Sequence, residues 1–284
     1  MAGNNTENKK LKVSIITPTL NRGEYLEQNI LSVKNQDYPL LEHIVVDGKS
    51  VDNSLDVLKK YEGTYNMRWI SERDSSNTNA MNKGFKMATG DIYCWLDSDD
   101  TYLPGTIKKV VNIFEKHPEI DVVFGDVFIV DKACNVINYI RHGKFNCENA
   151  IYEGMNVSAQ AIFWRRNVYE KLNGMDEKYV ICADYDFFIR MGLSGAKFYH
   201  LRDFLGTYRH HYGQLTGQID RRQIETTSIC NKYMDNKISP VRLRYKKIKS
   251  LFRKSFYLVL QGDAWFVARG FLRRIKILHN PSLD

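Results

Sequence analysis

Over about the first 115 residues, four short apolar runs alternate with stretches of helical periodicity, and three of the runs end on polar side chains. Val13-Ser14-Ile15-Ile16-Thr17 is β-branched and stops at Pro18, so it reads as a buried strand entering a loop. Glu24 to Val33 reads as a helix with Tyr25, Leu26, Ile30 and Val33 on its apolar side. His43 to Asp47 is a second strand, halted by an acid and Gly48. Asp52 is placed to cap the next helix, which carries Leu55 and Leu58. Trp69-Ile70-Ser71 is a weaker third strand, and Asn79 to Met87 is helical with Gly90 as the expected C′ residue. Asp91 to Leu96 is a fourth strand that runs into Asp97-Ser98-Asp99-Asp100. Pro104-Gly105 then opens a helix through Lys116.

This alternation predicts a parallel sheet covered by helices, an α/β nucleotide-binding architecture whose ligands sit beyond the carboxyl ends of the strands. Thr17, Thr19 and Asn21 after the first strand, Asp47 and Ser50 after the second, and Asp97, Asp99 and Asp100 after the fourth should converge on one edge. No G-x-G-x-x-G follows the first strand and no G-x-x-x-x-G-K-[ST] occurs, which disfavours dinucleotide and P-loop sites. Further strands are expected over 122–130, 136–140, 161–164, 197–201 and 205–209, with helices over 165–172 and 184–191. No repeat is visible, and no clean linker precedes about residue 215.

At 284 residues and 43% hydrophobic the chain can bury a core, which excludes global disorder. There is no run of 18 apolar residues, so no spanning helix is expected. Met1 to Lys12 lacks the apolar region of a secretory signal. Cys94, Cys134, Cys147, Cys182 and Cys230 form no C-x-x-C pair and read as small buried hydrophobes in a reducing compartment. In that setting the glycosylation pattern Asn156-Val157-Ser158 reads as chance.

The net charge of +8 is concentrated at the end. Residues 240–284 hold eleven basic residues against two acids, a net +9 that leaves the first 239 residues nearly neutral. There Val241, Tyr245, Ile248, Phe252, Phe256 and Val259 recur at helical spacing beside Arg242, Lys246, Lys249 and Arg253. A second basic amphipathic helix is expected after Asp263, around Trp265, Ala268, Leu272 and Ile275. Such helices suit an anionic membrane surface. Packing on the body or on a second subunit, as in a homodimer, remains the alternative. The charge would allow nucleic acid, but no recognised motif accompanies it, so no nucleic-acid partner is expected.

Asp97, Asp99 and Asp100 repel one another unless a cation lies among them, and hard carboxylate oxygens suit Mg2+ or Mn2+. A solvated acidic turn is the other reading. Asp47 is either a turn acid or an acceptor for a base N–H or ribose hydroxyl. Of Asp184 and Asp186, one can cap the following helix and one can serve as a general base. His210 and His211 are either structural or late metal ligands.

Val13-Ser-Ile-Ile-Thr-Pro-Thr-Leu-Asn-Arg22 resembles the opening of family 2 glycosyltransferases, which have the GT-A fold. The resemblance continues through Ile44–Asp52, Ser71-Glu-Arg-Asp74, Ala80-Met-Asn-Lys-Gly84, Ala88-Thr-Gly-Asp91 and Trp95-Leu-Asp-Ser-Asp-Asp100. It extends through Ala159–Arg166, Gly174–Glu177 and Ala183-Asp-Tyr-Asp186, and closes on Tyr208-Arg-His-His211 with Gln214-Leu-Thr216. It covers about residues 12–217, which implies a catalytic domain over 1–217, with residues 1–11 flexible, and a basic helical tail over 218–284.

The resemblance implies a metal-dependent inverting enzyme using a nucleotide sugar, a UDP sugar foremost. Thr17, Pro18 and Thr19 would line the base pocket, and Asp47 would contact the base. Asp74 and Lys83 would lie near ribose and phosphate. Asp97-Ser98-Asp99 matches the D-x-D motif, with Asp97 toward the ribose and Asp99, Asp100 and His211 at a Mn2+ or Mg2+ ion. Asp184 would be the general base, with Gln160 and Asp186 on the acceptor side. The acceptor would be a polysaccharide, oligosaccharide or lipid-linked hydroxyl at the cytoplasmic face of a membrane. Two positions depart from the family: Asn79, where many relatives have an acid, and Lys49, where glycine is usual. A nucleotidyltransferase is the first rival reading, though the Gly-rich loop it would carry is missing. A non-catalytic membrane- or carbohydrate-binding module is the second, though the D-x-D and Asp184 are both present.

Overall fold

The structure, a computed structural model, describes residues 10–234 and residues 245, 248, 249, 252, 255–257, 259 and 262. The first half follows the expected alternation: β1 (Val13–Thr19), α1 (Gly23–Lys34), β2 (Leu41–Asp47), α2 (Ser54–Tyr61), β3 (Met67–Ser71), α3 (Asn77–Met87) and β4 (Ile92–Trp95). Then come β5 (Thr101–Tyr102), α4 (Thr106–Lys116), β6 (Val122–Val130), β7 (Val136–Ile140), α5 (Cys147–Glu153), β8 (Ile162–Arg165), α6 (Arg166–Lys171), α7 (Ala183–Leu193), β9 (Phe198–Arg209) and α8 (Ile219–Tyr233).

Among the described residues these strands form one mixed sheet in the order β3-β2-β1-β4-β8-β6-β9-β5, with β7 on β6. The longest ladders, β1 with β2 and β6 with β9, are parallel. β1, β2 and β4 are buried along their whole length, as strands covered on both faces must be. Alternation along β1 divides the core. Ile16 packs with Met81, Phe85, Phe187 and Phe188 on one face. Val13 and Ile15 pack with Ile107, Val111 and Phe114 on the other. Gly84 lets α3 lie this close to β1: a Cβ there would fall 2.4 Å from Cγ2 of Ile16.

Several local expectations change. Gly90 is not a left-handed helix cap, because α3 ends at Ala88 in an extended conformation. Glycine is needed there for close approach, since a Cβ would meet Oγ of Ser14 at 2.5 Å and the Lys12 carbonyl oxygen at 2.8 Å. Asn53, not Asp52, occupies the N-cap of α2. Asp52 instead accepts from the amides of Ser54 (3.0 Å) and Gly23 (2.9 Å), tying the starts of two helices together. The two short strands expected over 197–209 are one strand, because the ladder with β6 continues across Arg202-Asp203 through an irregularity at Asp126. α5 was not anticipated; its start is fixed by Asn146, whose side chain accepts from the Asn149 amide at 2.9 Å. Cys134 is exposed in a left-handed turn, unlike buried Cys94 and Cys182. Lys49 has a φ of 68°, a left-handed conformation that glycine adopts without strain, in keeping with the glycine that the resemblance leads one to expect at that turn. Asn79, the other departure, donates to Glu177 at 3.0 Å.

Of the apolar stripe expected in the tail, the side chains of Tyr245, Ile248, Phe252, Phe256 and Val259 are exposed. The second tail helix, around Trp265 to Ile275, lies outside the described residues. No helix among the described residues is long and apolar enough to cross a membrane.

Candidate active site

The acidic segment leaves β4 in the interior of the sheet and reaches β5 at its edge, so its backbone has no ladder of its own. It is held by side chains instead. Buried Asn29 of α1 donates its Nδ2 to the carbonyls of Asp97 and Asp100, both at 3.0 Å. The Asp100 amide closes a tight turn on the Asp97 carbonyl at 2.9 Å. From β9, the Arg209 amide donates to Oδ1 of Asp100 at 2.7 Å, and its Nε donates to the Asp99 carbonyl at 2.6 Å. The strand then delivers His211, whose Nε2 lies 2.9 Å from Oδ2 of Asp99 and whose ring packs on Tyr25.

Asp97, Ser98, Asp99 and Asp100 line a cavity of about 780 Å³, which also takes in Pro18, Thr19, Asp74, Gln160 and, from the first turn of α7, Asp184. That volume lies within the range of small-molecule sites, ~300–1,000 Å³. Burial pushes the Asp97 carboxyl up to about 7, helped by the charges of Asp99 and Asp184. Burial likewise raises Asp184 to about 6, with the charge of Glu225 adding to it against hydrogen bonds from nearby amides. Asp100 is raised well above the ordinary value by burial and then by Asp99 and Asp97. Excess negative charge of this kind fits a hard divalent cation. Asp99 and His211, 2.9 Å apart, offer donors of the type such an ion takes, and among the described residues no three metal-ligating side chains form a closed cage.

The remaining expected residues divide. Thr19 lines the cavity, and its buried Oγ1 has no hydrogen-bond partner among the described residues. Thr17 does not line it: its hydroxyl lies 2.9 Å from Nε2 of His43 inside the sheet. Asp47 is fully buried and does not line the cavity; it accepts from the Ser50 amide and from the Ser71 hydroxyl at 2.6 Å. Lys83 stands behind Asp74, pairing with it at 2.8 Å and with Glu72 at 2.7 Å. Asp186 faces away from the cavity, bound to Arg190, Lys232 and Tyr233. Of the two acids opening α7, neither makes the side-chain cap. Arg222 and Thr226 of α8 line the cavity without having been expected there. No local motif marks them, because they reach the site only through the packing of α8.

The family model described as "Glycosyl transferase family 2" matches residues 14–172, more than half of the chain. The chain belongs to that family. A PGL/p-HBAD biosynthesis glycosyltransferase of Mycobacterium bovis is 32% identical over 180 residues, covering 62% of this chain and 68% of that protein. The glycosyltransferase MJ1057 of Methanocaldococcus jannaschii is 28% identical over 214 residues, covering 72% of each. Among solved structures, S. aureus TarS 1-349 in complex with UDP-GlcNAc aligns with a TM-score of 0.67 at 20% identity, covering 86% of this chain and 72% of that one. The mannosyltransferase PcManGT from Pyrobaculum calidifontis, in complex with GDP-Man and Mn2+, aligns with a TM-score of 0.61 at 17% identity, covering 96% and 82%. These likenesses establish the GT-A type of fold, and the family makes the chain a glycosyltransferase.

Proposed function

We propose that this glycosyltransferase is metal-dependent and inverting, and moves a sugar from a nucleoside diphosphate sugar, a UDP sugar foremost, to a hydroxyl of a polysaccharide, oligosaccharide or lipid-linked acceptor. The observation that carries the proposal is the convergence of Asp97, Asp99 and Asp184 on one cavity, with His211 against Asp99. Pro18 and the unpartnered hydroxyl of Thr19 serve the base, with Asp47 and Thr17 supporting that wall from behind. Asp97 and Ser98 face the ribose, and Asp74, oriented by Lys83, faces the phosphate end. Asp99 and His211 hold Mn2+ or Mg2+, with Asp100 behind them. A bound cation supplies Lewis-acid stabilisation of the departing diphosphate. Asp184, raised toward neutrality, takes the proton of the incoming hydroxyl, an effect worth ~10²–10⁴-fold. Gln160 lines the acceptor side, and Asp186 supports that side through α7.

The test is thermal stabilisation by a panel of nucleoside diphosphates, with and without Mn2+, on the wild type and Asp99→Ala. Stabilisation by one base that needs Mn2+ and disappears in the variant supports the proposal. No shift with any nucleotide overturns it.

The basic residues of 240–284 would hold the enzyme on an anionic membrane surface at its inner face, each contributing ~1 kcal/mol when engaged. Removing 240–284 is expected to abolish co-sedimentation with anionic vesicles while leaving nucleotide binding intact.

A further inference from the structure

α8 does more than cover the body. Its Glu225 is 7% exposed and sits under the turn that precedes α7. Oε2 of Glu225 accepts from the amides of Ile181 and Cys182, both at 2.9 Å, and from that of Val180 at 3.1 Å. Oε1 accepts from the Val180 amide at 3.1 Å and from Nε of Arg221 at 3.0 Å. Three successive amides thus converge on one carboxylate, the arrangement of a backbone nest. Burial works against the charge of Glu225, yet the hydrogen bonds from Cys182, Ile181 and Val180 outweigh it and hold the carboxyl below its ordinary range.

The turn so bound is the one from which Asp184 enters the cavity. Cys182 is the N-cap of α7, and Asp184 is two residues further on. The first amides of a helix have no partner within it, and Cys182 gives no side-chain cap. Glu225 takes the first of these amides, that of Cys182, together with the two that precede the helix, and adds favourable charge at the helix start. The far end of α8 is fastened to the same helix, since Lys232 and Tyr233 both donate to Oδ1 of Asp186, at 3.0 and 2.7 Å.

We propose that Glu225 is a positioning residue for glycosyl transfer: by binding the amides of Val180, Ile181 and Cys182, its carboxylate sets where Asp184 stands in the cavity. The inference rests on the reading of Asp184 as general base. A misplacement of ~1 Å in a reacting group can cost ~10²-fold in rate. α8 is therefore part of the catalytic unit. Arg222 and Thr226 wall the cavity on the face of α8 from which Glu225 holds the turn.

The experiment uses the full chain and follows nucleoside diphosphate release from UDP-GlcNAc, UDP-glucose and GDP-mannose with Mn2+, water being the acceptor. Glu225→Ala is compared with Asp184→Asn and with Ile229→Ala, which removes a buried apolar side chain of α8 one turn from Glu225 and leaves the carboxylate of the nest in place. Glu225→Ala should lower kcat by about tenfold or more with donor KM nearly unchanged. Amide exchange in residues 178–185 should accelerate. Sodium formate, able to enter the vacated nest, should restore part of kcat. Ile229→Ala should lower Tm without a formate response. Wild-type kcat in Glu225→Ala overturns the inference, and so does a loss that formate leaves untouched and that matches Ile229→Ala at equal Tm. If Asp184→Asn turns over normally, it is the base assignment that fails, and the inference falls with it. If no donor is consumed by any form, the exchange measurement decides: unchanged protection in Glu225→Ala overturns the inference, and faster exchange confined to that turn supports it.

Discussion

Nε of Arg209 donates to the main-chain carbonyl of Asp99 at 2.6 Å, so a fully buried guanidinium from the last residue of β9 sets the height of the acidic loop. Its other nitrogens donate to the Lys132 carbonyl (2.8 Å) and to Oε1 of Gln28 (2.7 Å), and its plane lies over Tyr25. Two residues later the same segment presents His211 to the side chain of Asp99. Scaffold and candidate ligand are thus carried by one short stretch of chain.

Arg209→Lys should show how much that frame contributes. A single ammonium cannot reach all three acceptors from one position, and buried carbonyls left unpaired cost ~1–3 kcal/mol each. The urea midpoint should fall by an amount equivalent to roughly 2–4 kcal/mol. Mn2+-dependent UDP binding, measured by calorimetry, should weaken as well, because Asp99 and His211 lose their common support. Unchanged values of both would show that Asn29 and the main-chain amide at position 209 hold the loop without the guanidinium.

Removal of divalent metal should abolish donor turnover, and added Mn2+ or Mg2+ should restore it. His211→Ala is expected to raise the Mn2+ concentration needed for half-maximal rate by at least about 10–100-fold, which is the effect of losing even a group that only supports a ligand. Asp99→Asn should resist rescue at any Mn2+ concentration tested. Full activity in a chelated sample would remove the metal from the mechanism.

The position of Asp184 makes a prediction in pH. Its carboxyl is raised to about 6 by burial, and only the ionised form can take a proton. Turnover should therefore be full above about pH 7 and fall about tenfold per unit as the pH drops below 6. Asp184→Asn should lower kcat by ~10²–10⁴ and leave UDP affinity unchanged. The same acid limb persisting in the residual activity of that variant would assign it to another group.

Much of this was legible in the chain, and the exceptions share a cause. The β-branched runs and their polar ends locate the strands of the parallel half and the acidic loop, because period and local stops are written in neighbouring residues, whereas Asp184 is one of two acids opening a helix and only the family resemblance singles it out. Thr17 and Asp47 were placed at the right edge, but strand alternation and the partners His43, Ser50 and Ser71 turn both inward. Asp186 stood beside the expected base in sequence, yet the turn of α7 points it toward Arg190 and Lys232. Glu225 carries no signal in its neighbouring residues. Its function lies in amides more than 40 residues away, and no periodicity encodes such a contact.

The sheet holds a last titratable group whose effect is on stability. His43 in β2 is fully buried, with Nε2 2.9 Å from the Thr17 hydroxyl and Nδ1 2.6 Å from the Tyr65 hydroxyl. Burial pushes its pKa from an ordinary 6.5 down to about 3. The folded chain therefore excludes a proton that the unfolded chain binds. The stability carried by neutral His43 is fully present above pH 6.5 and is lost as the pH falls toward 3, at up to ~1.4 kcal/mol per unit. Neighbouring Glu42 acts in a lower window. Burial opposes its charge, but hydrogen bonds from Ser14, Thr89 and Lys12 lower it to about 2, so its contribution is lost between about 4.5 and 2. Asp97 and Asp184, raised in the fold, act with the opposite sign between pH 7 and 4. Comparing His43→Asn with the wild type at each pH cancels all three. The variant should be the less stable protein at pH 7.5, and the gap in urea midpoint should narrow steadily from pH 6.5 to 4.5. A gap that stays constant over that range would mean that His43 is protonated in the fold, and that its bonds to Thr17 and Tyr65 are made by a charged ring.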